Sequence, residues 1–254
     1  MTNEDISNQN KFYEALKYPL VFLAMMWMVH ICKEFTDWDF VYGGIFPRRT
    51  YGLVGILTAP LIHGDWKHLF SNSIPFLGLS VVCMYFYRNI ALKGFTMIYI
   101  LTGFAVWLLG NFFDENIHSN VSHIGASGVV YGLVAFVFWN GIFVRSPRAI
   151  VLALVVLVLY SGMFEGILPN QPGISWESHL FGGLVGIFTA YFYKGELLEE
   201  LAAENKHTWG EEFHATANKN RYFLNRDVFE KTKEERRKEE EQRRSGWDST
   251  STFE

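Results

Sequence analysis

The chain carries Gly125-Ala126-Ser127-Gly128-Val129-Val130-Tyr131 at the start of an apolar run that continues to Phe143. A hydroxyl between glycines at the mouth of such a run is unusual, because lipid offers polar groups no partner and polar residues inside spans are mostly functional or paired. A serine at a helix start also lies among backbone N–H groups that have no intrahelical acceptor. The stretch predicts a reactive Ser127 or, taken alone, a small-residue patch where helices pack.

Apolar runs of this kind recur along the chain and predict an all-α, polytopic membrane helix bundle of six transmembrane helices. The bundle occupies residues 18–194, after a polar cytoplasmic segment at 1–17 and before a charged cytoplasmic tail at 195–254 that is helical or disordered. The six predicted spans are Tyr18–Ile31, His68–Tyr87, Phe95–Phe112, Ser127–Phe143, Ile150–Tyr160, which could extend to Phe164, and His179–Tyr193.

Charge is unevenly distributed along the 254 residues. The tail from Gly195 onward holds 11 Lys and Arg and 15 Asp and Glu, so it accounts for the whole net charge of −4. The predicted loops 111–124 and 161–178 contain no Lys or Arg, and by the positive-inside rule both termini are expected to be cytoplasmic. The loop 33–67 contains basic residues on the outer side, but its aromatic residues predict that it dips into the interface and packs on the bundle.

A histidine opens the last predicted span. His179 is followed by Gly182 and Gly186, which are four residues apart and share one helix face, whereas Gly183 is turned away. Those two glycines would let another helix approach closely, and the span that begins at Ser127 is the obvious partner. The pattern predicts that His179 reaches Ser127, although an interfacial histidine near water would show the same sequence.

The spacing HxxxxHxxxN of His63, His68 and Asn72 forms a second polar group. His68 and Asn72 lie on one helix face, where two donors would suit an oxyanion hole. Metal ligation by His63 and His68 is the alternative, with His123 as a possible third ligand, but a catalytic zinc usually has three protein ligands and no HExxH motif is present. His118 and His123 otherwise read as ordinary surface or interface residues.

Three residues around Ser127 have expected supporting roles. Tyr131 shares the helix face of Ser127, so its ring could stack against His179, or it could simply pack in the core. Gly125 permits a close approach of backbone, and Gly128 clears space over the serine.

Taken together, the motifs resemble the rhomboid family of intramembrane serine proteases, over about residues 18–193. The matching stretches are His63-Gly64-Asp65-Trp66-Lys67-His68-Leu69-Phe70-Ser71-Asn72, Gly125-Ala126-Ser127-Gly128-Val129-Val130-Tyr131-Gly132 and Glu177-Ser178-His179-Leu180-Phe181-Gly182-Gly183.

The resemblance implies a nucleophile, Ser127, and a general base, His179, that form a dyad without a carboxylate. It implies that His68, Asn72 and the Ser127 N–H form the oxyanion hole, that His63 shapes the site and that Tyr131 stacks on His179. No metal or organic cofactor is implied. Many family members carry a Trp-Arg pair in the first loop, whereas this chain has Pro47-Arg48-Arg49-Thr50-Tyr51, which leaves the detailed structure of that loop open.

The predicted function is therefore cleavage of transmembrane segments near the outer membrane face by an intramembrane serine endopeptidase. The alternative is a catalytically inactive rhomboid-like protein that binds membrane proteins or acts in their quality control; such relatives typically lose the serine, the histidine or the glycines, which are all present here. We expect a multi-pass protein of a bacterial inner membrane, with transmembrane proteins and the lipid bilayer as partners and no nucleic acid. The sequence leaves the oligomeric state open.

Overall fold

The computed structural model describes residues 3–36, 40–112, 121–169, 175–217 and 232–248. Within these ranges the chain is helical and has no β-strand, which confirms the predicted all-α class. The α-helices are α1 (Asn3–Phe35), α2 (Gly55–Thr58), α3 (Trp66–Phe86), α4 (Arg88–Leu109), α5 (Ser127–Val144), α6 (Pro147–Tyr160), α7 (Trp176–Ala217) and α8 (Lys233–Asp248), with 3₁₀ helices at Phe40–Gly43, Thr50–Leu53, Ala59–Leu61 and Ser161–Ile167.

Among the described residues, five helices are long and apolar enough to cross a membrane. They correspond to five of the predicted spans, although the second and third predicted spans extend past their helices by one and three residues. The fifth of these runs from Pro147 to Ile167, because the 3₁₀ helix continues α6 beyond Tyr160. The sixth predicted span lies in the first half of α7, where Glu177 and His179 in the first turn make the helix less apolar. The sixth crossing therefore stays a prediction.

Helices α1 and α3 pack through their side chains. The rings of Phe22 and Phe76 stack with centroids 4.8 Å apart, and the indole Nε1 of Trp27 donates to Ser73 Oγ over 3.1 Å. Ser73 in turn donates to the carbonyl of Leu69 over 2.7 Å, so both polar groups are satisfied between the helices.

Helices α5 and α7 approach each other through glycines. A Cβ atom added to Gly182 would collide with the carbonyl oxygen of Gly128, and one added to Gly186 would collide with that of Gly132. A Cβ on Gly183 would meet nothing within 4 Å. The close approach predicted from the glycine spacing is confirmed, and it leaves no room for side chains between the two helices at these positions.

The first loop packs on the bundle at the C-terminal end of α4, which agrees with the packing predicted from the sequence. Arg48 has a left-handed backbone (φ 59°), donates its N–H to the Trp107 carbonyl over 2.8 Å and directs its guanidinium Nη1 to the Gly110 carbonyl over 2.7 Å. The loop thus caps the last carbonyls of α4, which have no partner inside that helix. Earlier in the same loop, Ile45 exchanges two backbone hydrogen bonds of 2.9 Å each with His123.

The contacts divide the chain into two compact units, Met1–Glu200 and Leu201–Glu254. In the second unit the charged run of the tail lies in α8. Arg237 Nε and Glu241 Oε1 are 3.8 Å apart one turn along that helix, both well exposed, so this pair adds little to helix stability.

Candidate active site

Ser127 is the first residue of α5. The chain turns into the helix at Gly125, whose φ of +104° is a conformation that residues with a Cβ rarely adopt. The first bond of the helix ladder runs from the Val130 N–H to the Ala126 carbonyl over 3.0 Å. The N–H groups of the three residues before Val130 therefore have no acceptor within the helix.

His179 lies against this hydroxyl. Its Nε2 is 2.8 Å from Ser127 Oγ, and its Nδ1 is 2.8 Å from the carbonyl oxygen of Gly166. The Tyr131 ring stacks on the imidazole with centroids 4.1 Å apart and planes 12° from parallel, and its hydroxyl donates to the Met163 carbonyl over 2.5 Å. The structure thus brings together Ser127, Tyr131 and His179, and holds both rings against the 3₁₀ helix that follows α6.

His68 and His63 line the other side of the turn. A Cβ on Gly125 would lie 2.7 Å from Cε1 and Nε2 of His68, so only glycine leaves room for that ring. The His63 ring meets the His68 ring edge to face at 5.0 Å, and its Nε2 accepts the Ala126 N–H over 3.5 Å. Burial and the neighbouring His68 lower the pKa of His63 from 6.5 to about 3, so His63 is neutral at pH 7.

The start of α3 is held from two directions. Asp65 Oδ1 accepts the His68 N–H over 2.8 Å as an N-cap, while Lys33 from α1 donates to the carbonyls of His63 (3.1 Å) and Gly64 (2.5 Å). Asn72, buried one turn into α3, directs its Nδ2 to the His68 carbonyl over 2.9 Å. One hydrogen of the Asn72 amide is thereby used by its own helix.

Gly128 faces α7. A Cβ there would lie 3.0 Å from the carbonyl oxygen of Ser178 and 3.1 Å from Cγ2 of Thr102. The missing side chain therefore makes room for the start of α7, immediately before His179.

His123, expected from the sequence to be an ordinary surface or interface residue, is not exposed. It is buried, with Nδ1 2.5 Å from Ser175 Oγ and Nε2 2.9 Å from Asn111 Oδ1, and the Asn111 N–H donates to Glu177 Oε1 over 2.9 Å. Burial lowers the pKa of His123 from 6.5 to about 4. The expectation of an exposed side chain was wrong because the two partners, Asn111 and Ser175, belong to segments on either side of the loop that meet only in the folded chain. His118 lies outside the described residues.

The described residues hold no group of three or more His, Cys, Asp and Glu that could bind a metal ion. His123, the possible third ligand, uses both ring nitrogens in hydrogen bonds.

Sequence reasoning missed the two carbonyls that hold the site's rings, at Met163 and Gly166, and the ammonium of Lys33. A backbone carbonyl has no side-chain signature, although a glycine in the short segment between two spans was a signal that could have been used for Gly166.

A comparison with protein families matches the Rhomboid domain over residues 51–196. Among curated proteins, one from Mycobacterium tuberculosis is 34% identical over 196 residues, covering 74% of this chain and 81% of that protein. One from Mycobacterium leprae is 34% identical over 182 residues, covering 68% of each chain. Both relatives are named as uncharacterized proteins, so they assign no activity to this chain.

Proposed function

Because the chain belongs to the rhomboid family of multi-pass membrane proteins, we propose that it is an intramembrane serine endopeptidase. It would cleave transmembrane segments of membrane-protein substrates near the outer membrane face. The observation that carries the proposal is the 2.8 Å contact between His179 Nε2 and Ser127 Oγ at the start of α5. A base in hydrogen-bond contact with a hydroxyl is the arrangement that activates a serine for acyl transfer.

The dyad would act in two steps. His179 takes the proton from Ser127 Oγ as the oxygen attacks the scissile carbonyl, and then gives that proton to the leaving amine, so an acyl-enzyme forms. A water molecule, deprotonated by the same imidazole, releases the acyl group and restores the serine. Ser127 is only partly buried, which is compatible with the access that a peptide and a water molecule need.

The oxyanion of the tetrahedral intermediate would lie on the α3 side of Ser127. The first turn of α5 has N–H groups without an acceptor in the helix, which we assign to the oxyanion, and the His68 ring lies against the Gly125 backbone just before that turn. The second amide hydrogen of Asn72 is the further donor that we assign to the oxyanion. Donors that act on charge present only in the transition state raise the rate without tightening substrate binding.

The substrate class follows from the surroundings of the site. Ser127 begins one spanning helix, and two of the three loops assigned to its side of the bundle, 111–124 and 161–178, lack Lys and Arg. This supports an outward-facing site with both termini cytoplasmic. A substrate helix must unwind locally, because its carbonyls are hydrogen-bonded, so we expect helix-breaking residues near the cleavage point. We propose a bacterial inner membrane as the host.

The test is cleavage of a reporter transmembrane segment in proteoliposomes by purified wild type, Ser127→Ala and Ser161→Ala. Ser161 is an exposed serine whose hydroxyl donates to the Val158 carbonyl, so it controls for a generic loss of a hydroxyl. We expect cleavage by wild type and Ser161→Ala and none by Ser127→Ala. Absence of cleavage by a folded wild type, across a panel of reporter segments, would favour the inactive membrane-protein-binding relative.

A further inference from the structure

We propose that the backbone carbonyl of Gly166 orients the base His179, and so takes the position that a carboxylate holds in a catalytic triad. The inference rests on the proposed function, since it assigns a positioning group to the same dyad. It explains how an imidazole without an acidic partner keeps the correct nitrogen towards Ser127.

The Gly166 carbonyl is free to serve because of its place in the fold. It lies near the end of the 3₁₀ helix Ser161–Ile167, where the last carbonyls have no donor within the helix. His179 Nδ1 is 2.8 Å from this oxygen. The imidazole thus satisfies a helix-end carbonyl that would otherwise need water.

This contact determines which ring nitrogen carries the proton. A carbonyl oxygen can only accept, so Nδ1 must donate, and in a neutral imidazole the other nitrogen, Nε2, is then the acceptor. Nε2 is the nitrogen 2.8 Å from Ser127 Oγ. When the ring takes up the serine proton, the bond from Nδ1 to Gly166 becomes charge-assisted and strengthens, which favours the transition state.

The same 3₁₀ helix also holds the face of the imidazole. Tyr131, which stacks on the ring of His179, donates its hydroxyl to the carbonyl of Met163 over 2.5 Å. This 3₁₀ helix of seven residues therefore holds the His179 imidazole in two ways. The Gly166 carbonyl contacts Nδ1 directly, and the Met163 carbonyl holds Tyr131, which stacks on the face of the ring.

The fit requires a glycine at position 166. A Cβ there would collide with the hydroxyl oxygen of Tyr131 and would lie 3.0 Å from His179 Nδ1. At Gly162, four residues earlier in the same 3₁₀ helix, a Cβ would meet nothing within 4 Å. The helix therefore offers a matched pair, in which Gly166→Ala crowds the two rings and Gly162→Ala tests the helix alone.

The experiment combines kinetics with a direct observation of the ring. Reporter cleavage is measured for wild type, Gly166→Ala and Gly162→Ala, and the protonated nitrogen of His179 is identified by NMR of ¹⁵N-histidine-labelled protein at neutral pH, assigned with His179→Gln. We expect wild type and Gly162→Ala to carry the proton on Nδ1. In Gly166→Ala we expect a mixture of tautomers and a kcat lower by about 10–100-fold, with KM within about twofold.

Gly166→Ala is repeated in a Tyr131→Phe background, which removes the hydroxyl in the path of the new Cβ and keeps the test usable if the single variant does not fold. A proton on Nε2 in the wild type overturns the proposal, as does a Gly166→Ala protein that matches Gly162→Ala in both tautomer and kcat. If the wild type shows no proteolysis but the tautomer still changes with Gly166→Ala, the positioning role stands and the proposed protease function fails.

Discussion

The two helix pairs α1–α3 and α5–α7 are held together in different ways. The first meets through side chains, with Phe22 stacked on Phe76 and Trp27 bonded to Ser73, while in the second the glycines of α7 lie against backbone carbonyls of α5. Side chains can change rotamer when a neighbour changes, but a backbone carbonyl cannot retreat without moving its helix. The rigid contact is the one that carries Ser127 and His179, which need a fixed separation.

The largest expected effect comes from widening the α5–α7 contact. Gly182→Val and Gly186→Val must push α7 away from the carbonyls of Gly128 and Gly132, so His179 loses contact with Ser127 and activity falls by roughly 100-fold or more. Gly183→Val, whose Cβ enters open space, is the matched control. Reporter cleavage measures all three, and equal losses would show that close packing does not position the dyad.

A smaller effect is expected from the oxyanion side of the site. Asn72→Ala removes one donor among several, so we expect kcat to fall by about tenfold with KM nearly unchanged. An unchanged kcat with a raised KM would mean that Asn72, whose Nδ2 bonds the His68 carbonyl, holds α3 or the substrate and leaves the oxyanion to His68 and the backbone.

The buried histidines outside the spanning helices should make stability depend on pH. Burial lowers the pKa of His123 from 6.5 to about 4, so below pH 6.5 the unfolded chain takes up a proton that the folded protein does not. Thermal stability in detergent should therefore fall as the pH drops from 6.5 towards 4. His123→Gln, which cannot be protonated, should show a weaker decline, with a remainder from His63, whose pKa is lowered to about 3. Identical pH profiles for the two proteins would remove His123 from this explanation.

The smallest effect is expected in the α1–α3 pair. Trp27→Phe removes the bond to Ser73, whose hydroxyl still donates to Leu69, so the free energy of unfolding should fall by about 1 kcal/mol. Activity should stay within about twofold, because the contact lies outside the dyad and its supports. A loss of activity in Trp27→Phe comparable to that in Gly182→Val would contradict the distinction between the α1–α3 and α5–α7 helix pairs.

The sequence was most informative where one residue type has one physical use. Hydropathy located the spans and placed the start of α5 at Ser127. The glycine face of α7 could be predicted because glycine permits close contact between helices. Helix ends were less predictable. Helix α4 begins at Arg88 rather than at Phe95, because hydropathy marks only the apolar part of a helix. The backbone hydrogen bonds of α4 continue beyond that part into a segment with charged residues. Lys93 in that extension pairs with Glu196 at 2.8 Å.

The site itself could be predicted only as far as side chains reveal it. The contact of His179 with Ser127 and the stacking of Tyr131 follow from helix faces, and the structure has both. The burial of His123 was not predicted, because it requires Asn111 and Ser175 to meet in the fold. The support from the Gly166 carbonyl was missed because every residue has such an atom, and only the glycine itself marked the position.

The most direct test of the central claim is active-site labelling with a serine-directed phosphonate or isocoumarin probe, with the modified residue located by peptide mass spectrometry. We expect the probe to modify Ser127 in the wild type and in Gly183→Val. We expect His179→Ala and Gly182→Val to lose this labelling although they remain folded. Labelling that persists in Ser127→Ala, or that is unaffected by loss of His179, would contradict a serine activated by His179 across the α5–α7 contact.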